Sequence, residues 1–291
     1  MSETAESLSR KIASAKELDS VARTMKALAA ASIGQYETAV HALNDYYRTV
    51  QLGLVAGLRQ SGASLIAERD NMTIRRTNVI VYGSDQGLVG QFNDVLVNYA
   101  TAELSKTQGE KTIWAVGERI YARLEDEGFK PRGMFSVPQS INSVTPQIGH
   151  ILKDTETYWN DESSRLLLFY NSTGPGSIYQ PSMQGLLPLE DAWQKTVSST
   201  KWPSNNLPQV VGKNESMLRA LIREYVFVSL FRACVESLAS ENASRLAAMQ
   251  RAEKNIEDLL ADLNGAFQRL RQTSIDEELF DVIAGYEMLA K

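Results

Sequence analysis

The sequence predicts an α/β fold in which a mostly parallel sheet lies between long N- and C-terminal helices that pair as an antiparallel coiled coil. All 8 prolines lie between positions 131 and 208, so both ends can form uninterrupted helices. Between these ends, short apolar runs alternate with helical patterns, which is typical of a parallel sheet. We expect a shaft of residues 1–60 and 213–291, an α/β domain at 75–190 and a linker at 191–212.

The N-terminal segment carries apolar residues at steps of three and four, which is the pattern of one helix face. Seven-residue spacing within it is typical of a coiled-coil seam. The first half of this seam consists mainly of alanine, so a partner helix can approach closely. The predicted seam positions are Leu8, Ala15, Ala22, Ala29, Tyr36, Leu43 and Val50.

The C-terminal segment repeats the pattern, with Glu253 interrupting the apolar stripe at an expected seam edge. Two long helices at opposite ends of one chain pair most simply in antiparallel fashion. The stripe comprises Leu246, Met249, Ile256, Leu260, Leu263, Phe267 and Leu270, and continues less regularly through Ile275, Leu279, Val282, Ile283, Tyr286 and Leu289.

The middle of the chain reads as alternating strands and helices, which favours a mostly parallel sheet. We expect strands at Thr77–Tyr82, Lys111–Val116, Met134–Val137 and Arg165–Tyr170, with one or two edge strands within Ser177–Leu189. The expected helices are Asn93–Leu104, a helix from Gly117 to about Glu127, Val144–Trp159, and a last helix beginning near Asn214.

Composition and charge exclude several function classes. The net charge of −5 and a pI near 5.3 argue against an extended nucleic-acid-binding surface. A single cysteine rules out an internal disulfide or a cysteine-based zinc site. The sequence has no apolar run long enough to span a membrane and no signal-peptide pattern, so we expect a cytoplasmic protein without direct membrane insertion.

A glycine-rich segment, Tyr82–Asn93, follows a strand and precedes a helix. Such turns can hold phosphate at a helix N-terminus. The segment lacks the Gly-Lys-Ser/Thr of a phosphate-binding loop, and its glycine spacing differs from the dinucleotide-binding pattern. We therefore favour a tight structural turn, built by Gly83, Asp85, Gly87, Gly90 and Asn93.

The other chemically active side chains form no convincing site. His41 and His150 are far apart in sequence, and neither has a second ligand at helical spacing. Cys234 is flanked by apolar and small residues, which favours a buried thiol. Asp276–Glu278 reads as an acidic helix segment rather than a metal site. We expect no catalytic residues, no cofactor and no bound metal.

Five segments resemble, in order, the gamma subunit of F-type ATP synthases. Arg10–Ala15 and Ala22–Ala31 resemble the family's opening helix and its Ala-Met signature. Ser84–Asn93 resembles its Ser/Thr-Asp-Arg-Gly-Leu-Cys-Gly-Gly-Leu-Asn turn, while Leu238–Met249 and Arg271–Leu279 resemble its closing helix. The matches span nearly the whole chain.

The resemblance implies a non-catalytic central stalk that couples ion translocation to ATP synthesis or hydrolysis by rotation. It implies a coiled coil inside a ring of three alpha and three beta subunits. A Rossmann-like domain without bound nucleotide would meet the epsilon subunit and the membrane c-ring. The implied location is peripheral, on the cytoplasmic face of the bacterial inner membrane.

Residue roles transfer only where the motif matches. Met25 occupies the family's methionine position near the acidic lever of the beta subunits, and Lys26 adds a positive charge that could meet it. Arg271 and Gln272 match the pair that hydrogen-bonds a beta-subunit catch loop. Asp276 stands where the family has threonine or a similar residue, so a carboxylate would meet an acidic loop there.

Departures from the family's pattern leave further interpretations open. The turn has Asp-Gln-Gly-Leu-Val-Gly-Gln in place of Asp-Arg-Gly-Leu-Cys-Gly-Gly, which is compatible with a divergent bacterial branch such as the alternate sodium-linked ATPases. The driving ion stays open between H⁺ and Na⁺. Two other classes also fit the pattern of elements. One is a free-standing α/β nucleotide-binding enzyme with a helical dimerisation arm, and the other is an unrelated coiled-coil scaffold.

Overall fold

Two long helices open and close the chain in a computed structural model that describes residues 4–61, 74–159, 163–174, 177–189, 202–203, 206 and 214–289. Helix α1, Ala5–Ser61, has 57 residues. The last helix, α5, runs over Asn214–Leu289 and has 76 residues. The predicted linker at 191–212 lies outside the described residues except at 202, 203 and 206.

The middle of the chain forms a five-stranded sheet with three helices around it. The strands are β1 (Arg76–Tyr82), β2 (Glu110–Val116), β3 (Gly133–Phe135), β4 (Ser164–Gly174) and β5 (Ser177–Leu187). The helices are α2 (Phe92–Ser105), α3 (Glu118–Asp126) and α4 (Ile141–Trp159).

The sheet has the strand order β3-β2-β1-β4-β5 and is mostly parallel, which confirms the predicted fold class. Strand β1 pairs in parallel with both β2 and β4, β2 pairs in parallel with β3, and β5 runs antiparallel to β4. Strand β1 is buried on both faces, which explains its continuous apolar run.

The two faces of the sheet contribute to two separate cores. Val79 and Val81 point to one face, where they pack with side chains of α2 and α3. Ile80 and Tyr82 alternate to the other face and pack with α4, α5 and the second half of α1. The second half of α1 and the first part of α5 therefore help to bury the sheet.

Two element boundaries, the end of β3 and the start of α4, differ from the sequence prediction for local reasons. Strand β3 ends at Phe135 rather than Val137, because the Val137 N–H donates to the Asp85 carboxylate instead of to a strand. Helix α4 begins at Ile141 rather than Val144, so Pro146 lies inside it. The Ser143 N–H and hydroxyl both donate to the Ser140 carbonyl, which stabilises this earlier start.

Strands β4 and β5 also correct the prediction. Strand β4 continues to Gly174, four residues past the expected end at Tyr170. The region expected to hold one or two edge strands forms a single strand, Ser177–Leu187, which contains Pro181. The edge position of β5 leaves one side of its backbone without a strand neighbour in the sheet, where a proline is tolerated.

The chain divides into two compact units. The first comprises Met1–Ala29 and Arg245–Lys291, and the second comprises Ala30–Ser244. In the first unit, α1 and α5 run antiparallel, as the ion pairs Arg23–Glu257 and Lys26–Glu253 require. In the second unit, parts of both long helices pack with the α/β elements.

The predicted seam is the buried stripe of α1. Leu8, Ala15, Ala22 and Ala29 are buried within the first unit, and the stripe continues to Tyr36 and Val50 in the second. On α5 the matching positions are buried or half-buried at steps of three and four: Leu246, Met249, Glu253, Ile256, Leu260, Leu263, Phe267 and Leu270.

Beyond Leu270 the apolar stripe of α5 is exposed. Phe280 is 68% exposed, Val282 71% and Tyr286 75%. Both helices rise by the same distance per residue, so Ala5, where α1 begins, lies opposite about residue 275 of α5. The last turns of α5 therefore extend beyond the end of α1, and their apolar side chains gain no cover from it.

Replacing Ala22 with tryptophan tests whether this stripe is a packed seam. Ala22 is 5% exposed, so Ala22→Trp overpacks the interface and should lower the free energy of unfolding by about 1–3 kcal/mol. Ala13→Trp is the matched control, because Ala13 is exposed on the same helix. Urea unfolding followed by circular dichroism measures both. Equal stability of the two variants would contradict the seam.

Candidate functional site

The glycine-rich turn lies at the carboxyl edge of the parallel strands and is held by its own polar groups. The Ser84 N–H donates to Asn93 Oδ1 at 3.1 Å, and Asn93 Nδ2 donates to Ser84 Oγ at 2.8 Å. The Gly83 N–H donates to the Val116 carbonyl at 2.8 Å, which ties the turn to β2. These bonds fix the start and the end of the turn together.

Two glycines are required by the geometry of the turn. A Cβ at Gly83 would lie 2.2 Å from Ile120 Cβ and 2.7 Å from Asn93 Oδ1, so no side chain fits there. Gly90 has a φ of 58°, in the left-handed region that favours glycine. Leu88, with a φ of 62°, adopts the same region although it carries a side chain, and it is 59% exposed.

The Asp85 carboxylate accepts hydrogen bonds from two backbone N–H groups that lie outside the glycine-rich turn. Its Oδ1 accepts from the Glu118 N–H at the start of α3 at 3.0 Å, and its Oδ2 accepts from the Val137 N–H at 2.8 Å. A helix N-terminus binds anions through such free N–H groups. At α3 the chain supplies its own anion, so Asp85 ties the glycine-rich turn to α3 and to Val137, as a structural turn would.

Helix α5 docks on this turn through serine hydroxyls that the sequence analysis missed. Ser244 Oγ donates to the Val89 carbonyl at 2.6 Å, and Ser237 Oγ donates to the Tyr82 carbonyl at 3.5 Å. Both serines are buried on one face of α5. Their seven-residue spacing in a largely apolar segment is the sequence signal that could have revealed this contact.

The predicted ring-contact residues lie in two separate places. Met25 and Lys26 are half-buried on α1, whereas Arg271, Gln272 and Asp276 are exposed on α5. Lys26 of α1 lies beside Glu253 of α5. Along α5, Glu253 and Arg271 are about 27 Å apart. The structure therefore does not bring the two sets together into one site.

Lys26 is paired within the chain. Its ammonium donates to the Glu253 carboxylate, and this hydrogen bond lowers the pKa of that carboxyl. Arg23 Nε lies 3.4 Å from Glu253 Oε1. The hydrogen bond from Arg23 to Asp19 is the main cause of the raised pKa of the Arg23 guanidinium. An acidic partner segment would have to compete with Glu253 for the Lys26 charge.

The remaining candidate groups are placed as isolated side chains. His41 and His150 are exposed on different helices. Cys234 is buried in the core, and burial raises the pKa of its thiol. Among the described residues, histidine, cysteine and carboxylate side chains form no group of three that could hold a metal ion. Within the same part of the chain, the helices are too short or too polar to cross a membrane.

The fold and the site define a protein whose α/β domain is inserted between two helices that pair near the chain termini. A sequence model described as ATP synthase matches residues 4–289, nearly the whole chain. The chain belongs to this ATP synthase family. This match covers both helices and the α/β domain, and together with relatives named ATP synthase gamma chain it confirms the resemblance to the gamma subunit.

Curated relatives named ATP synthase gamma chain match this chain over nearly their whole length. An ATP synthase gamma chain from Syntrophus aciditrophicus is 27% identical over 98% of this chain and 98% of its own. One from Hyphomonas neptunium is 28% identical over 97% of this chain and 98% of its own. One from Sulfurihydrogenibium sp. is 26% identical over 97% of both chains.

Solved structures share the fold at lower sequence identity. A chain in the rotor of the Euglena gracilis mitochondrial ATP synthase has a TM-score of 0.64 at 16% identity and covers 93% of this chain. That match covers 98% of the Euglena chain. A chain of the central stalk and c-ring structure from Tetrahymena thermophila has a TM-score of 0.57 at 20% identity, covering 80% of this chain and 99% of its own.

Gly83→Ala tests whether the turn requires the close approach of α3. The added Cβ overlaps with Ile120, so we expect a loss of about 1–3 kcal/mol in the free energy of unfolding. Gly87→Ala is the matched control in the same turn, because the nearest neighbour of its Cβ would be an Arg119 terminal nitrogen at 3.9 Å. If chemical denaturation gives both variants the same stability, the turn is not packed as described.

Proposed function

We propose that this chain is the non-catalytic rotor subunit of an F-type ATP synthase and couples ion translocation to ATP synthesis or hydrolysis. The observation that carries the proposal is the helix pair of the first unit, from which α5 continues with exposed apolar side chains. Ile275, Leu279 and Phe280 are all more than half exposed in the chain alone. Exposed apolar surface of this extent is typical of a partner interface.

The proposed partners follow from the two parts of the chain. The helical shaft, assigned to residues 1–60 and 213–291, would contact the alpha–beta ring. The α/β domain, assigned to residues 75–190 and followed by a linker at 191–212, would contact the epsilon subunit and the membrane c-ring. The complex would place the chain peripherally, on the cytoplasmic face of the bacterial inner membrane.

Five side chains are proposed to contact the ring. Arg271 and Gln272 are exposed on α5 and can donate hydrogen bonds to a partner's acidic loop. Asp276, also exposed, would require a partner donor rather than a carboxylate. Met25 and Lys26 would contribute at the level of Glu253, with Lys26 shared between that residue and the partner.

A rotor does not need bond chemistry, and the turn supports this part of the proposal. The Asp85 carboxylate accepts from the first N–H of α3, and Gly83 packs directly on Ile120. What a rotor must supply is a stiff body that presents different faces to three equivalent partners. Each partner subunit then favours the conformation that makes the better contact with the face of the shaft turned toward it.

Reconstitution separates this proposal from an enzyme or an unrelated scaffold. The chain is mixed with an alpha–beta ring from the same source, and ATP hydrolysis is compared with that of the ring alone and the chain alone. We expect a stable complex with stimulated hydrolysis, no hydrolysis by the chain alone, and no heat signal when ATP is titrated into the chain. A folded chain that binds ATP but not the ring would support the enzyme alternative.

Substitution of the catch-loop pair tests the residue assignment within the complex. Arg271→Ala with Gln272→Ala removes hydrogen bonds from a charged donor, each worth about 1.5–3 kcal/mol at most, so we expect binding to the ring to weaken about tenfold. Gln268→Ala with Arg269→Ala is the control, an exposed pair of the same composition three residues earlier. Equal effects of the two double variants on ring affinity and coupled turnover would refute the assignment.

A further inference from the structure

The helix pair of the first unit is held by a thin apolar seam. Its buried apolar side chains are Leu8, Ala15, Ala22, Ala29 and Met249. Three of these five are alanines, and a buried methyl group removes little apolar area from water. Close packing of small side chains therefore gives this interface less apolar stabilisation than a seam of leucines would.

The alanine seam also specifies its own alignment poorly. Ala15, Ala22 and Ala29 recur at intervals of seven, so displacing one helix by a heptad places an alanine opposite much of the same surface. Large side chains distinguish correct from shifted alignments because they fit particular holes. Three methyl groups in a row provide little of this discrimination.

A network of five charged side chains spans the two helices beside this seam. Arg23 Nη2 lies 3.3 Å from Glu257 Oε1, and Arg23 Nε lies 3.4 Å from Glu253 Oε1 and 2.9 Å from Asp19 Oδ2. Lys26 Nζ pairs with Glu253 Oε2. Glu253 is 16% exposed although it carries a carboxylate, and it pairs with both Arg23 and Lys26.

Shifted alignments lose all or part of this network. Displacement by one heptad in one direction brings Asp19 to the position of Lys26, so that two carboxylates meet at Glu253, although Lys16 then takes the position of Arg23. Displacement in the other direction brings Ile33 there and leaves Glu253 without its lysine. A surface ion pair contributes little to stability by itself, but alignment depends on differences between alternatives, and charge pairs set orientation and register in coiled coils.

We propose that Asp19, Arg23, Lys26, Glu253 and Glu257 form a clasp that keeps the alanine seam closed and in register. Glu253 is its centre, because it joins both α1 cations to α5. The clasp fixes how far the exposed end of α5 extends past Ala5. Under the proposed rotor function, it would set the reach of that end toward its partner.

The test measures the distance between two spin labels on the full-length chain. Labels are attached at Ser20→Cys on α1 and Gln268→Cys on α5, which are both exposed. Cys234 is 1% exposed and should stay unlabelled in the folded chain. A slip of one heptad changes the axial offset of the labels by about 10 Å, and separation of the helices broadens the distance distribution.

Charge reversal at the centre of the clasp should disturb this distance. We expect Glu253→Lys to shift or broaden the distribution and Glu253→Gln to broaden it less. Combining Lys26→Glu with Glu253→Lys should narrow the distribution relative to Glu253→Lys, because that pair is re-formed with its charges exchanged. The rescue should be partial, because Arg23 then faces a lysine. Asp262→Lys, an exposed carboxylate outside the clasp, is the control and should leave the distribution unchanged.

The clasp would be overturned if folded Glu253→Lys gave a single narrow distance distribution equal to that of the parent. It would also be overturned if Asp262→Lys disturbed the distribution as much as Glu253→Lys does. If Glu253→Lys does not fold, the distance distribution of Glu253→Gln is compared with that of the parent, and an unchanged distribution overturns the clasp. These measurements use the chain without a ring, so they can fail while the rotor function holds. Failure of ring binding would likewise leave the clasp untouched.

Discussion

The fold of the second unit depends on burying the first part of α5 against the sheet. Val226, Leu230, Val235 and Leu238 of this helix are at most 4% exposed and belong to the same core as the strand residue Ile80. That core also includes side chains of α1, so both long helices are fixed to one sheet. Because α1 ends at Ser61 and α5 begins at Asn214, this packing brings distant parts of the sequence together.

The glycine-rich turn follows from the same constraint. Helix α5 lies against the turn, so the Val89 carbonyl receives a hydroxyl of α5, from Ser244, rather than a ligand. Gly83 admits α3 at a distance that no side chain allows, and Asp85 then satisfies the first N–H of that helix. The hydrogen bonds of Asp85 and Val89 therefore hold the turn to α3 and α5 within the chain.

Much of the fold could be predicted from local patterns, whereas the site depends on long-range pairs. The heptad positions Ala15, Ala22 and Ala29 were identifiable because helical periodicity is a local property of sequence. The pairing of Lys26 with Glu253 was not, since it depends on which antiparallel register the helices adopt. The end of β3 was also missed, because Val137 donates to a carboxylate from a different strand end. Ile275 and Phe280 are exposed because they lie at or beyond the point of α5 that is opposite the start of α1. The periodicity of α5 alone does not show where α1 begins.

The central claim is that this chain turns inside the ring. It is tested by immobilising the alpha–beta ring, attaching a bead through Asn98→Cys on the exposed face of α2 and following the bead in ATP. The account predicts rotation in one direction with three stops per turn, one for each equivalent alpha–beta pair. ATP hydrolysis by an intact complex in which the attached bead stays still would contradict it.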